Sequence, residues 1–302
     1  FKKGQSNLDS EIETQKQLLS QLKQSILQAA IQGKLTADWR KQNPGVEPAS
    51  DLLERIKAEK AQLIKDKVIK KEKPLPPITD EEIPFELPEG WVWCRLGEIT
   101  TYGSSYKVES NEISEDTWVL DLEDIEKINS VITQRKTFKE RPSLSTKSVF
   151  KKGWVLYSKL RPYLDKVVVV DNDGVCTTEI LPLPVYCDLD PKFLMYGMKG
   201  KHFLQYVNSK VSGMKMPRLK TEDGRRALVP LAPIEETRAA SQKVEAIMRK
   251  CEKLAAGITQ SEQHAQILMQ TVLKEAFESN SYTEKSEREL SMAAEEPASY
   301  TS

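Results

Sequence analysis

The chain has 302 residues, 39% apolar and 30% charged, which suits the core of one or two domains with long solvated elements. Its 45 Lys and Arg balance 45 Asp and Glu, so the net charge excludes no class of partner until its distribution is followed along the chain. No stretch reaches the roughly eighteen apolar residues of a membrane span, and the N-terminus lacks a secretory signal, so no membrane partner and a cytoplasmic location are expected. A start at Phe1 rather than Met reads as a fragment or a processed product.

Residues 1–33 read as a coiled-coil helix. Leu8, Ile12, Gln15, Leu19, Leu22, Ile26 and Ala29 alternate by four and three, the spacing of an a/d seam. Residues 34–80 read as a linker with one short charged helix from Ser50, taken as N-cap, to about Lys71, followed by the stiff Lys73-Pro-Leu-Pro-Pro77. Residues 81–232 form the expected domain, an α+β mixture of short strands and helices. Its β-type runs are Trp91–Cys94, Thr117–Leu120, Val155–Tyr157, Val167–Val170 and Ala227–Leu231, with one helix from Pro191 to about Asn208.

Residues 233–280 read as a second coiled-coil helix, opened by Pro233 and by Glu235 and Glu236, whose carboxylates suit the positive end of the helix dipole. Its seam is Val244, Ile247, Cys251, Leu254, Ile258, Ser261, Ala265, Leu268, Val272 and Glu275. The two helices are also copies of one another: Leu22–Gly33 aligns 246 positions on with Leu268–Ser279, four of twelve residues being identical. A helix at each end of one domain is half of a two-fold repeat. Residues 281–302, rich in Ser, Glu and Ala, are expected to be a disordered tail.

Charge is segregated along the sequence. From Arg135 to Val170 ten Lys and Arg face two acids, from Lys192 to Arg226 nine face two, and from Glu109 to Lys127 eight acids face one Lys. Within the basic runs, Lys159, Arg161, Tyr163 and Lys166 form one candidate DNA-binding segment, and Lys215, Arg218 and Lys220 a second beside Gly213. Basic side chains interleaved with aromatics suit phosphate contact, and Arg suits bidentate reading of guanine. The loop Ser104, Ser105, Tyr106 and Lys107 is a third candidate.

Nothing comparable points to catalysis. The sequence lacks a phosphate loop, a G-x-G-x-x-G, an adenine-methylation Asn/Asp-Pro-Pro-Tyr and a G-x-S-x-G elbow. His202 and His264 are isolated, and Cys94, Cys176, Cys187 and Cys251 have neither C-x-x-C nor zinc-like spacing, so no metal site is expected and the thiols read as reduced. The expectation is no catalytic residue. A structural coiled-coil adaptor without a nucleic-acid role is the competing reading, but it leaves the charge segregation unexplained.

Four segments in this order resemble the specificity (S) subunits of type I restriction-modification systems: Leu87–Gly97, Gly153–Tyr163 with Gly174–Leu181, Ser212–Leu219, and Val229–Arg238. Ala232 and Glu236 stand where that family usually has Pro and Gln. The resemblance implies a target-recognition domain that reads half of a bipartite site in double-stranded DNA. It also implies that the end helices set the spacing and dock methyltransferase (M) subunits, and through them the restriction (R) subunit. S-adenosylmethionine and ATP would then sit on those partners, and this chain would need no cofactor. The family usually carries two recognition domains. One such domain implies either the C-terminal half of a longer subunit or a half-subunit that pairs with a copy of itself.

Overall fold

A computed structural model describes the backbone of residues 2–211, 213 and 215–294, and the side chains of 10–211, 213, 215–272 and 274. The chain forms two compact units, Phe1–Lys23 with Met248–Ser302, and Gln24–Ile247. The first helix, α1 (Lys2–Ile31), and the last, α8 (Ile234–Ala294), each contribute to both.

In the first unit the two helices are joined by an ion pair between Lys16 Nζ and a Glu262 carboxylate oxygen at 2.7 Å. These residues are 246 positions apart, which is the offset of the sequence repeat. Equivalent positions of the two copies therefore touch, as they do near a local two-fold axis. The seam is only partly covered. Ile12 and Cys251 are buried and Leu19, Ile258 and Ala265 half-buried, whereas Leu22, Leu254, Leu268 and Val272 are exposed. Leu8's side chain lies outside the described residues. Ile26, Ala29, Val244 and Ile247 fall in the second unit, where Ile26 and Val244 are buried. The helix expected to stop near Asn280 continues through Ala294, so residues 281–294 are helical rather than a tail, and 295–302 are not described.

In the second unit, α2 (Ala37–Gln42) and α3 (Ala49–Lys65) precede the sheets. Pro48 rather than Ser50 caps α3, and the Ser50 hydroxyl is turned to Asp51 within the helix. This helix is no spacer. Ala49, Leu52 and Ile56 are buried in one core with Cys94, Leu96, Ile99 and Tyr157. Full burial contributes about 1.5–3 kcal/mol for a side chain such as Leu52 or Ile56, which a free linker would forgo. The Pro-rich stretch is pinned as well: buried Arg95 donates to the Pro76 and Pro77 carbonyls, to Arg226 O and to Glu82.

Three sheets follow. β1 (Val92–Arg95) pairs antiparallel with β10 (Leu228–Leu231), so the domain's first and last strands close it. A five-stranded sheet has the order β2 (Lys107–Val108), β5 (Lys147–Phe150), β8 (Gly174–Cys176), β3 (Trp118–Leu120), β4 (Lys136–Thr137), with β3 and β8 parallel. The third sheet is antiparallel, with β6 (Val155–Ser158) between β7 (Val167–Val169) and β9 (Ile180–Leu183). It is apolar on both faces. Val155, Tyr157 and Val167 enter the core shared with α3, while Leu156 and Val168 enter a second core with Trp118, Leu120 and Phe150. Period-two alternation onto two buried faces explains why these strands read as continuous apolar runs.

The single helix expected from Pro191 to Asn208 is two, α5 (Pro191–Lys199) and α6 (Lys201–Lys210), broken at Gly200. A Cβ at Gly200 would lie 2.4 Å from Ile31 Cδ1, so the break sits where α1 approaches the backbone too closely for a side chain. Finally, Glu236 does not sit in solvent at the positive end of α8. It is fully buried and accepts hydrogen bonds from Trp91 Nε1 (2.8 Å), Thr36 Oγ1 and Arg40.

Candidate nucleic-acid interface

The first basic segment is the connection between β6 and β7. Ser158 closes it at both levels, its N–H donating to Lys166 O (3.0 Å) and its hydroxyl to Leu160 O (2.7 Å). Arg161 takes a left-handed conformation (φ 50°), Pro162–Leu164 make one 3-10 turn, and Asp165 is again left-handed (φ 49°). The turn leaves Arg161 and Tyr163 exposed.

The second basic segment lies directly against the first. Leu160 and Arg218 form an antiparallel bridge, Arg161 N donates to Pro217 O (2.8 Å) and Leu219 N to Lys159 O (3.0 Å). Leu219 is buried and anchors the strand-like stretch, so Lys215 and Lys220 are left at its exposed flanks. Ser212 and Met214 lie outside the described residues. The third candidate loop meets the second segment at α7 (Thr221–Arg226). Gly103 (φ 84°) abuts Thr221 so closely that a Cβ would fall 2.2 Å from its Cγ2. Beyond it Ser105 shares a hydrogen bond with Ser148 Oγ (3.2 Å), Ser104 is half-buried, and Tyr106 and Lys107 are exposed. Backbone pairing thus gathers segments that are far apart in sequence.

The fold divides the predicted cations. Among the described residues Lys107, Lys159, Arg161, Lys215 and Lys220 have no ion-pair partner. Arg218 is held by Glu179, which accepts from Nε and Nη2 at 3.0–3.2 Å and keeps the guanidinium above its ordinary pKa. Lys166 is half-buried: its Nζ donates to Leu122 O at 2.6 Å, and burial lowers its pKa. Glu179, which the sequence reading passed over, also accepts from Lys159 N through its carbonyl (3.1 Å), so it touches both basic segments. A lone Glu after two threonines gave no signal of this.

The segregation of charge along the sequence does not survive folding as a whole. The acidic run lies on the first half of the basic run, Arg141 bonding Asp121, Glu123 and Asp124, Lys139 pairing with Glu115, and Lys147 with Asp121. Arg135 and Lys151 pair with Asp171 and Asp173. Five of the ten cations of the Arg135–Val170 run are therefore paired with acids, and among the described residues Lys136, Lys152, Lys159, Arg161 and Lys166 have no ion-pair partner.

His202 packs edge-on between Phe85 and Trp93, with Nε2 3.3 Å from Leu228 O, and burial pushes its pKa down to about 4. All four cysteines are free, and among the described residues no three His, Cys, Asp or Glu gather as a metal site. No helix among them is long and apolar enough to cross a membrane.

The fold is thus an α+β domain in which two basic segments are joined by backbone pairing, with a helix of the repeated pair at each end of the chain. No protein-family model matches the chain. By sequence the chain is related to the specificity subunits of type I restriction enzymes. It is 61% identical over 89 residues to the EcoAI specificity subunit of Escherichia coli, covering 30% of this chain and 14% of that subunit. It is 26% identical over 261 residues to the EcoDI specificity subunit of the same organism, covering 86% of this chain and 53% of that one. The chain thus accounts for at most about half the length of these relatives. The HsdS subunit from Thermoanaerobacter tengcongensis shares its fold, with a TM-score of 0.51 at 24% identity over 62% of this chain and 49% of that one.

Proposed function

We propose that the chain is a non-catalytic, sequence-specific DNA-reading module of a type I restriction-modification complex, recognising one half of a bipartite site. The observation that carries this reading is the bridge between Leu160 and Arg218, which stitches two basic segments into one face with Lys159, Arg161, Lys215 and Lys220 unpaired. Unpaired Lys and Arg would supply phosphate contacts that set register, and the exposed Arg161, on a left-handed turn, would read a guanine edge. The paired helices would dock methyltransferase subunits, and through them the restriction subunit. Exposed Leu18, Leu22, Leu254, Ile267, Leu268 and Val272 support that role, because apolar side chains on a helix pair gain by being covered. S-adenosylmethionine and ATP would bind to those partner subunits.

The test is selection from randomised duplexes by the complex assembled with methyltransferase subunits. A defined half-site and a steep salt dependence are expected, and Arg161→Ala should weaken specific binding by about 1–3 kcal/mol. Equal affinity for all duplexes would sink the reading.

A further inference from the structure

Beside the β6–β7 connection lies a second turn, residues 126–131, at the end of the run that the sequence marks as acidic. Glu126 N donates to Val131 O (2.8 Å) and Ile125 bridges Ile132, so the turn is a closed hairpin tip. Its backbone is unusual. Ile128 sits at φ 67° and Ser130 at φ 59°. For a β-branched residue a positive φ is a genuine outlier, and such conformations persist only where the surroundings over-determine them.

Here the surroundings do so. Ile128 N donates to Leu164 O (3.1 Å), tying the tip to the turn that carries Arg161 and Tyr163. Lys199, at the end of α5 and 4% exposed, uses all three ammonium protons: on Ile128 O (2.7 Å), Ser130 Oγ (2.7 Å) and Asp165 Oδ2 (2.6 Å). One buried cation therefore fixes two left-handed turns to each other. What they leave outside is Ile128 (47% exposed), Val131 (51%) and Tyr163 (52%), together with Asn129 and Arg161, whose side chains have no hydrogen-bond partner among the described residues.

We propose that the 126–131 tip is a second DNA-reading element, with Asn129 reading an adenine edge and Ile128 touching the methyl group of its paired thymine. Lys199 is the positioning residue that holds this tip beside Arg161. Asn presents a donor and an acceptor matched to adenine N7 and N6, and an apolar side chain is the natural contact for the thymine methyl. A strained backbone pinned at Ile128 by Leu164 O and Lys199 suits this use because specificity requires side chains held in place before the duplex arrives. The inference rests on the DNA-reading role proposed above.

Selection from randomised duplexes by the assembled complex separates the two. The unsubstituted chain should return a half-site containing an A·T pair whose replacement is rejected. With Asn129→Ala, discrimination at that pair should fall about tenfold while other positions and thermal stability stay unchanged. Lys199→Met should blur the positions read by both turns, and Lys199→Arg, which restores charge and donors, should recover part of the loss. Unaltered discrimination in Asn129→Ala, with Arg161→Ala impaired, overturns the second element and leaves the first reading standing. Absence of any sequence preference in the unsubstituted chain overturns both. Asn129 is exposed, so its variant keeps the test decisive even if Lys199→Met fails to fold.

Discussion

Arg141 and Arg161 belong to one basic run, yet the first lies against Asp121, Glu123 and Asp124 while the second has no acidic partner among the described residues. The Arg141 side chain is 14% exposed and faces the fully buried Asp124 carboxylate; Arg161 stands on a left-handed turn in solvent. Equal charge density in sequence thus yields a stabilising network in one place and an open cationic face in the other. The discriminating feature is what the fold sets opposite each cation, since a paired guanidinium must first break its bonds before it meets a phosphate.

The contrast is broken most directly at Arg141. Replacing it with Ala leaves Asp124 buried without its cation, and the loss should approach 3 kcal/mol in denaturant unfolding, with the DNA preference of the folded chain unchanged. A loss below about 0.5 kcal/mol would place Arg141 among ordinary surface pairs instead. On the open face, Lys159→Gln should lower the slope of log Kd against log salt by about one, whereas Lys151→Gln should leave it unchanged because Lys151 is already paired with Asp173 at 2.9 Å. Equal slopes for the two variants would remove the distinction.

The smallest effect concerns Asp171. The Arg135 hydrogen bond holds its carboxyl below the ordinary value of 3.8. A carboxylate depressed in the folded state contributes stability above its unfolded pKa, and that contribution disappears as pH falls through the folded one. In an NMR titration Asp171 should ionise below 3.8 in the unsubstituted chain and move back toward 3.8 with Arg135→Ala. No movement would mean that the sheet-edge pair is not formed in solution.

Much of the frame was legible because it is written locally. The a/d spacing foretold both long helices, apolar runs located β1, β3, β6, β7 and β10, and the basic segments drew attention to Arg161 and Arg218. Strands such as β2 and β4, two residues each, carry too little pattern to be seen, and they exist because neighbouring strands offer them partners. Lys166 looked like Lys159 in sequence, and its contact with Leu122 O depends on a β3-side turn that folds over it.

The sequence by itself determined the periodic elements, the repeat of the end helices and the position of the basic segments, since each of these is a matter of spacing along one chain. Tertiary structure decided which cations remain free, that Glu179 sits between two basic segments, and that buried Lys199 joins the turns around Ile128 and Arg161. The physical reason is that an ion pair or a buried hydrogen bond is chosen by distance across the fold, and residues 34 to 71 positions apart, such as Lys199 with Asp165 and Ile128, carry no mark of that proximity in their order.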